Sequence, residues 1–404
     1  MSDVDVLVVG AGPAGSVAAT VLARAGARVR LLDRARFPRA KLCGDTLNPG
    51  ALALLEQLDR EGLAPGLCQR LRARALPVAG MIVSGPDGSD VTADYPDGIR
   101  GLAISRSDLD VLLVDAAAAA GADVADGVRA LAPVVDQGRV RGVEVDGRAR
   151  DAWHARHVVI ADGRGSRIAR ALQLSRFARR PQRWAFGAYF SGVTGVGLRG
   201  EMHLRRDGYI GIAPLLDGLT NVCVVRHRRD HRSLIGIDQG QIILDTVSRD
   251  AFLHARFLAA RQESALIALG PLAIDADAAG CPGAVLAGDV AGFVDPMTGD
   301  GLRFALRGGM LAAEAVLSEL ATGQPAADTL ARARRRAFAG KYRFNRALRL
   351  LAGSPTALTA VAWLGGRWHA PAELIVRAAG DLRHAQPAPA ADERAAVRAH
   401  SRAW

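Results

Sequence analysis

Three short stretches of this 404-residue chain hold residue types that could do chemistry. The first is Gly10-Ala11-Gly12-Pro13-Ala14-Gly15, a full GxGxxG between a strand-like apolar run at 4–9 and a helix-like run that follows. At such a turn the first glycine permits the bend and the second lets backbone approach a pyrophosphate. The third lets helix and strand pack, and the helix N-terminus offers N–H donors to negative charge. Asp33 closes the next apolar run, 28–32, where a carboxylate can accept both ribose hydroxyls of an adenosine half. The second stretch, "PRAKLCGDTLNPG", holds Lys41, Cys43 and Asp45. A lone cysteine there reads either as chemistry or as a small buried hydrophobe. Asn48 followed by Pro49 is a good helix entrance, which accounts for the turn without any chemistry. The third, "VLAGDVAGFVDPMTGDGLRFAL", puts Gly288-Asp289 after a strand and sets Pro296, Gly299, Gly301 and Leu302 around a helix start, where free N–H groups favour an anion.

The elements that must position these residues follow from periodicity and breakers. Strand, glycine turn, helix, strand and terminal acid form a βαβ unit ending at Asp33. A Gly-Pro-Asp-Gly-punctuated stretch at 78–95 departs into another layer, and "SRSDLDVLLVDAAAAAG" returns to a helix with Ser107 as its expected cap. Strands are expected at 139–145 and 157–160. Alternating runs between 184 and 274 suggest a β-rich second lobe with a helical patch at 241–260. "GLRFALRGGMLAAEAVLSEL" is a long helix whose small residues allow close packing.

Bulk properties exclude several classes. The formal net charge is +11, yet Lys41 and Lys341 are the only lysines, and the arginines are scattered among acids without an aromatic-interleaved basic strip. A nucleic-acid partner is therefore not expected. The four cysteines, Cys43, Cys68, Cys223 and Cys281, lie far apart with no CxxC, which argues for a reducing cytosol and no structural zinc. The N-terminus has acids where a signal peptide would be basic, so a cytoplasmic protein is expected. The apolar run at 358–366 is far short of the roughly twenty residues that a membrane span needs, which leaves at most peripheral membrane contact.

Four elements in order, GxGxxG, the Arg106 of "ISRSDLD", Asp162-Gly163 of "VVIADGRGSRIAR" and Gly288-Asp289 with the 296–301 turn, resemble the FAD-dependent oxidoreductases of the p-hydroxybenzoate hydroxylase and geranylgeranyl reductase superfamily. The resemblance spans residues 1–330. It implies an α/β fold: a Rossmann-like, discontinuous FAD-binding domain of the p-hydroxybenzoate hydroxylase type (1–75, 101–178 and 276–330) with an inserted β-rich substrate domain (76–100 and 179–275). C-terminal helices at 331–382 and a disordered tail at 383–404 complete the expectation. By this likeness Asp33 binds the adenosine ribose, Arg106 the FAD phosphates or ribityl side, and Asp289 the ribityl hydroxyls, while Asp162 and Gly163 serve FAD and a visiting nicotinamide. Gly10, Gly12, Ala14, Gly15, Arg34, Lys41, Cys43, Gly288, Gly299, Gly301 and Leu302 complete the implied cofactor set. The implied catalytic set is Cys43, Asp45, Tyr209 and Pro296.

There is no second GxGxxG after a strand, so NAD(P)H is expected as a transient electron donor, with a separate flavin reductase as the alternative. Lys41, Cys43, Gly44 and Asp45 resemble the K-x-C-G-[GD] segment of geranylgeranyl reductase-like proteins, where the cysteine lies near the flavin. Those proteins also carry Tyr-x-Trp-x-Phe-Pro around a lipid cavity; here the frame reads Tyr209, Gly211, Ala213 and Pro214, with both large aromatics lost. The leading expectation is accordingly an FAD-dependent monooxygenase acting on a hydrophobic, aromatic or polyketide-like secondary metabolite. The alternative is a C=C reductase of an isoprenoid or lipid. A halogenase, which would need a Trp-x-Trp-x-Ile-Pro signature and an active-site lysine, and a flavin-free prenyl carrier rank below these. His203, Tyr209 and Arg226 are the polar residues singled out in the second lobe, each reading more readily as a surface or packing residue on a strand than as a substrate contact.

Overall fold

A computed structural model describes residues 4–146, 151–179, 183–227, 241–293, 297, 299–352 and 380, with side chains through 341 in the last helix. Its first layer begins with β1 (Val4–Val9), whose run of valines and leucine is buried on both faces, as a central parallel strand requires. Helix α1 (Pro13–Arg24) starts with proline at its first turn, and β2 (Val29–Asp33) returns parallel to β1. On the other side of β1 run the parallel strands Asp151–Ile160 and Ala284–Leu286. Asp123–Asp126 extends the sheet beyond β2, again parallel. Strands Ala130–Asp136 and Arg139–Val145 form an antiparallel extension on Asp151–Ile160.

Close approach of helices over this sheet depends on small residues. A Cβ on Gly309 would lie 2.3 Å from the Ala14 carbonyl oxygen, so the helix Gly301–Thr322 reaches α1 there only because position 309 has no side chain. Val6, Val8, Ala18, Leu22, Leu31, Leu311 and Val316 fill the resulting core.

The second layer is an eight-stranded sheet in which Arg183–Ser191, Thr220–His227, Gly208–Pro214 and Arg199–Arg205 are successive antiparallel neighbours. Gly80–Ser84 joins Arg199–Arg205 in parallel, and Asp90–Asp94 closes that edge. Alternation divides the side chains. Phe186, Phe190, Ile210, Ile212, Val222 and Val224 pack on one face with Ile242, Ile243 and Val247 of the helix Ile242–Ser248, while Ala185, Met202, Tyr209, Cys223 and Val225 look into a cavity on the other. Between the layers, Leu76–Val78 and Thr46–Leu47 flank Gly101–Ala103 in a small antiparallel sheet.

Three local readings are corrected. The cap of the helix Arg106–Ala119 is Ser105, whose Oγ accepts from the Asp108 N–H at 3.0 Å and donates to the Asp108 carboxylate at 2.6 Å; Ser107 lies inside the helix. The strand expected at 157–160 begins six residues earlier, at Asp151, because the antiparallel neighbour Arg139–Val145 lends it partners there. The helical patch expected at 241–260 is a seven-residue helix, Ile242–Ser248, followed by a 3-10 turn, His254–Phe257. Of the C-terminal region, the helix Ala326–Ala352 is described, whereas most of 353–382 and the whole of 383–404 lie outside the described residues. No helix among the described residues is long and apolar enough to cross a membrane.

Candidate functional site

The glycine turn builds one end of the cavity. Gly10 has φ +99°, and a Cβ there would sit 2.6 Å from the Ala161 carbonyl oxygen; a Cβ on Gly15 would sit 1.8 Å from the Gly10 carbonyl oxygen. Backbone and helix start can therefore meet only as glycine. Gly12 is different: what lies beyond it is a pair of cations, Arg39 Nη2 at 3.6 Å and Lys41 Nζ at 4.0 Å from where a Cβ would stand. Together with the α1 N-terminus they make an anion cradle. Asp33 Oδ2 accepts from the Ala11 N–H at 2.9 Å and Oδ1 from the Ala35 N–H at 2.9 Å, which locks the carboxylate beside the turn with lone pairs still available.

A buried charge network stands behind this cradle. Arg106 binds Asp110 through Nε at 3.0 Å and through Nη2 at 2.8 and 2.9 Å, one helical turn along the same helix. Arg39 bridges Asp110 at 3.2 Å and Asp33 at 3.6 Å. Lys41 loses basicity through burial and the neighbouring Arg106, an effect that Asp289 and Asp110 oppose.

The cavity floor is the segment 41–46. Asn221 Nδ2 donates to the Cys43 carbonyl at 2.7 Å and the Cys223 thiol to the same oxygen at 3.1 Å, so the sheet holds the loop through its backbone. Burial pushes the Cys43 and Cys223 thiols up, so both keep their protons. Behind Gly44, Asp45 adopts φ +51° and is 1% exposed, and neither of its carboxyl oxygens completes a hydrogen bond. Burial raises it from 3.8 to about 7, while the Tyr189 hydroxyl and Arg106, through its charge and its backbone N–H, pull it back.

The opposite end is the start of the helix Gly301–Thr322. Gly299, with φ +65°, and Gly301, Leu302 and Ala305 line the cavity together with Gly288 and Asp289. Asp300 directs its carboxylate away into a junction of three helices. Lys341 Nζ of the helix Ala326–Ala352 lies 3.0 Å from Asp300 Oδ1, and Asn48 Nδ2 donates to that oxygen at 3.2 Å. Asn48 also caps α2 (Pro49–Arg60), its Oδ1 accepting from the Ala51 N–H at 2.8 Å. The cavity between cradle and sheet encloses about 1190 Å³ of empty space, counting its open mouth. Its far wall is apolar: Met202, Val225, Leu269, Leu272 and Phe293. A dinucleotide fits the donor set, with Arg39, Lys41 and the α1 N-terminus for two phosphates, Asp33 for a ribose, and the Gly301 helix end for an electron-rich ring.

Known proteins agree with this geometry. Residues 3–190 match the model of an FAD binding domain. The chain is 31% identical to a menaquinone reductase of Mycolicibacterium smegmatis, an alignment covering 78% of this chain and 76% of that one. It is an FAD-dependent oxidoreductase of the geranylgeranyl reductase and p-hydroxybenzoate hydroxylase superfamily. A geranylgeranyl diphosphate reductase of Rhodobacter capsulatus is 30% identical over 81% of this chain and 79% of that one. In fold, this flavoprotein superimposes on a flavoprotein/dehydrogenase of Cytophaga hutchinsonii with a TM-score of 0.80, at 21% identity and covering 94% and 93% of the two chains.

In this FAD-dependent oxidoreductase the structure brings most of the expected residues to one cavity: Gly12, Ala14, Lys41, Cys43, Arg106, Gly163, Tyr209, Gly288, Asp289, Gly299, Gly301 and Leu302 all line it. Gly10, Gly15 and Asp33 shape the turn beneath it. Asp45 sits behind the floor rather than on it. Arg34 and Asp162 are exposed, beyond the lining. Pro296 lies outside the described residues. His203 is on the sheet face away from the cavity, in a buried chain where Ser84 Oγ and Glu201 Oε2 each lie 2.8 Å from its ring and Arg256 clamps Glu201. Arg226 likewise turns away, donating to Thr246 Oγ1 at 3.0 Å. Sequence reasoning missed Arg39, Asp110, Tyr189, Asn221 and Cys223. Asp110 had a signal, since it stands four residues after Arg106 on one helix; the others meet the site only through tertiary contact.

Proposed function

We propose that this protein is a flavin-dependent C=C reductase acting on a hydrophobic isoprenoid chain, with NAD(P)H as the electron donor. The observation that carries the reading is the cavity itself: an anion cradle at one end, an apolar wall at the other, and between them a floor that carries the protonated Cys43 and Cys223 thiols. Bound FAD would supply the hydride. This chain's residues would supply the rest: Arg39, Lys41, Asp33 and Arg106 hold the cofactor, Met202, Leu269, Leu272 and Phe293 exclude water and grip an apolar chain, and Cys43 and Tyr209 flank the reacting segment. The relatives named for menaquinone and for geranylgeranyl diphosphate support the isoprenoid class. They reverse the order suggested by the loss of both large aromatics from the Tyr209 frame, which favoured an oxygenase.

The second reading, hydroxylation of a ring-bearing metabolite, rests on that same loss: Gly211 leaves space beside Tyr209 that a tryptophan would fill. One experiment separates the two. The NADPH-reduced holoprotein is mixed anaerobically with geranylgeranyl diphosphate or a menaquinone, and flavin reoxidation and product mass are followed. Product gaining two hydrogens without oxygen supports the reductase. Reoxidation only on admitting oxygen, with an oxygen atom in the product, overturns it in favour of the oxygenase.

A further inference from the structure

The oxidoreductase reading leaves one group without a task. Asp45 is a carboxyl sealed from solvent, held in a left-handed backbone conformation, with both oxygens unmatched although it stands next to an arginine-rich site. A carboxyl of this kind costs folding free energy wherever it ionises, and a merely structural role would have called for hydrogen-bond partners. What surrounds it is protic. Tyr189 stands on the sheet face that carries Ala185 and Gly187, paired across the strands with Asn221, and its hydroxyl is the side-chain donor that favours the Asp45 carboxylate. Tyr189 in turn senses both Cys43 and Cys223, the two thiols that open into the cavity. The charged groups in range are Arg106, which favours the carboxylate, and Asp110, which opposes it. Every acid of the cluster, Asp45, Tyr189, Cys43 and Cys223, is shifted towards its protonated form by burial.

We infer that Asp45, with Tyr189, is the proton store of this site: it resupplies through the Cys43 and Cys223 thiols the proton that a substrate takes up when it is reduced. The inference rests on the reductase reading above. Reducing a C=C bond breaks its π bond and forms two C–H bonds. One carries the hydride from reduced FAD, with both electrons, and the other a proton from the cluster. The carboxylate left on Asp45, itself out of reach of solvent, then regains its proton from water at the open mouth of the cavity, back through the same thiols. Asp45 does not line the cavity, so it is a positioning and resupply residue, and Cys43 is the group that would touch substrate.

The test has two arms on the FAD-loaded protein. In the first, infrared difference spectra between pH 5 and pH 9 in wild type and Asp45→Asn look for a protonated-carboxyl band. A band that titrates near neutrality in wild type and vanishes in the variant is expected. A band that persists in the variant, or is absent from wild type, overturns the inference whatever the reaction proves to be. In the second, single-turnover reoxidation of reduced flavin by geranylgeranyl diphosphate is followed anaerobically against pH. Wild type should lose rate as pH rises through about 7. Asp45→Asn should be slowed about 100-fold and lack that limb. Tyr189→Phe, which removes a donor that favours the carboxylate, should move the limb to higher pH. An Asp45→Asn profile that parallels wild type refutes delivery by Asp45. A wild type that never reoxidises with this probe overturns the reductase reading and the delivery step with it, while the infrared arm still decides whether Asp45 holds the proton.

Discussion

Replacing Asp45 with asparagine should make the folded protein more stable, and increasingly so as pH rises. The native carboxyl titrates at about 7 against an ordinary 3.8. A folded-state value raised above the unfolded one means that the folded protein binds the extra proton between these limits. Stability therefore declines from about pH 4 to about pH 7 and levels off above. At about 1.4 kcal/mol per pH unit, the gap amounts to about 4 kcal/mol of cost on the alkaline plateau. Asparagine has nearly the same shape, tolerates the left-handed backbone at position 45 and does not titrate. The stability difference between variant and wild type should therefore grow by about 2 to 3 kcal/mol between pH 5 and pH 8. Urea unfolding of the FAD-loaded proteins at those two pH values measures it, and titrating groups shared by both proteins cancel in the difference. Unfolding curves whose separation changes by less than about 0.5 kcal/mol across that range would refute the claim that Asp45 is buried and protonated.

Gly15→Ala should abolish FAD retention during purification, because its methyl would overlap the Gly10 carbonyl oxygen; a yellow variant with an unchanged flavin-to-protein ratio would contradict the packing described for the turn. Arg39→Ala should weaken FAD binding about 10- to 100-fold by removing a charged donor at Gly12, measured by flavin fluorescence on titrating the apoprotein, with unaltered affinity as the contrary result. Lys341→Met should cost about 3 to 5 kcal/mol in chemical unfolding, since it leaves the Asp300 carboxylate buried beside Asn48, and Lys341→Met combined with Asp300→Asn should recover much of that loss.

The parts of the site that could be read from sequence were those written in local spacing. The glycine turn, the Asp33 terminus of β2 and the Asn48-Pro49 helix entrance are each specified within a few residues, because hydrogen bonds from the backbone of the turn or helix start fix them. Ser105 shows the limit of such reading: Ser105 and Ser107 both precede acids, and only the hydrogen bonds to Asp108 decide between them. Arg39 shows another limit. Nothing in "RFPRAK" marks it over Arg34 or Arg36, and it earns its place by bridging Asp33 and Asp110 across a loop. Cys223 and Asn221 were illegible for the same reason, since their bond to the Cys43 carbonyl joins residues about 180 positions apart. The Tyr209 frame was visible, but that its neighbour Gly211 widens the cavity wall depends on which face of a strand is turned inward.

The Lys341–Asp300–Asn48 junction has a bearing on how the chain is made. It ties an α2 cap near the beginning of the sequence to the start of the helix Gly301–Thr322, and both to a lysine more than 290 positions after the cap. On the ribosome the glycine turn and β2 emerge early, yet the helix start that closes the other end of the cavity acquires its buried counter-ion only when residue 341 has left the exit tunnel. Until then Asp300 has no Lys341 to neutralise it, and the nascent protein holds an adenosine half-site without a finished ring site. A chain cut before residue 341 would carry the nucleotide fingerprint with the Asp300 carboxylate lacking this counter-ion.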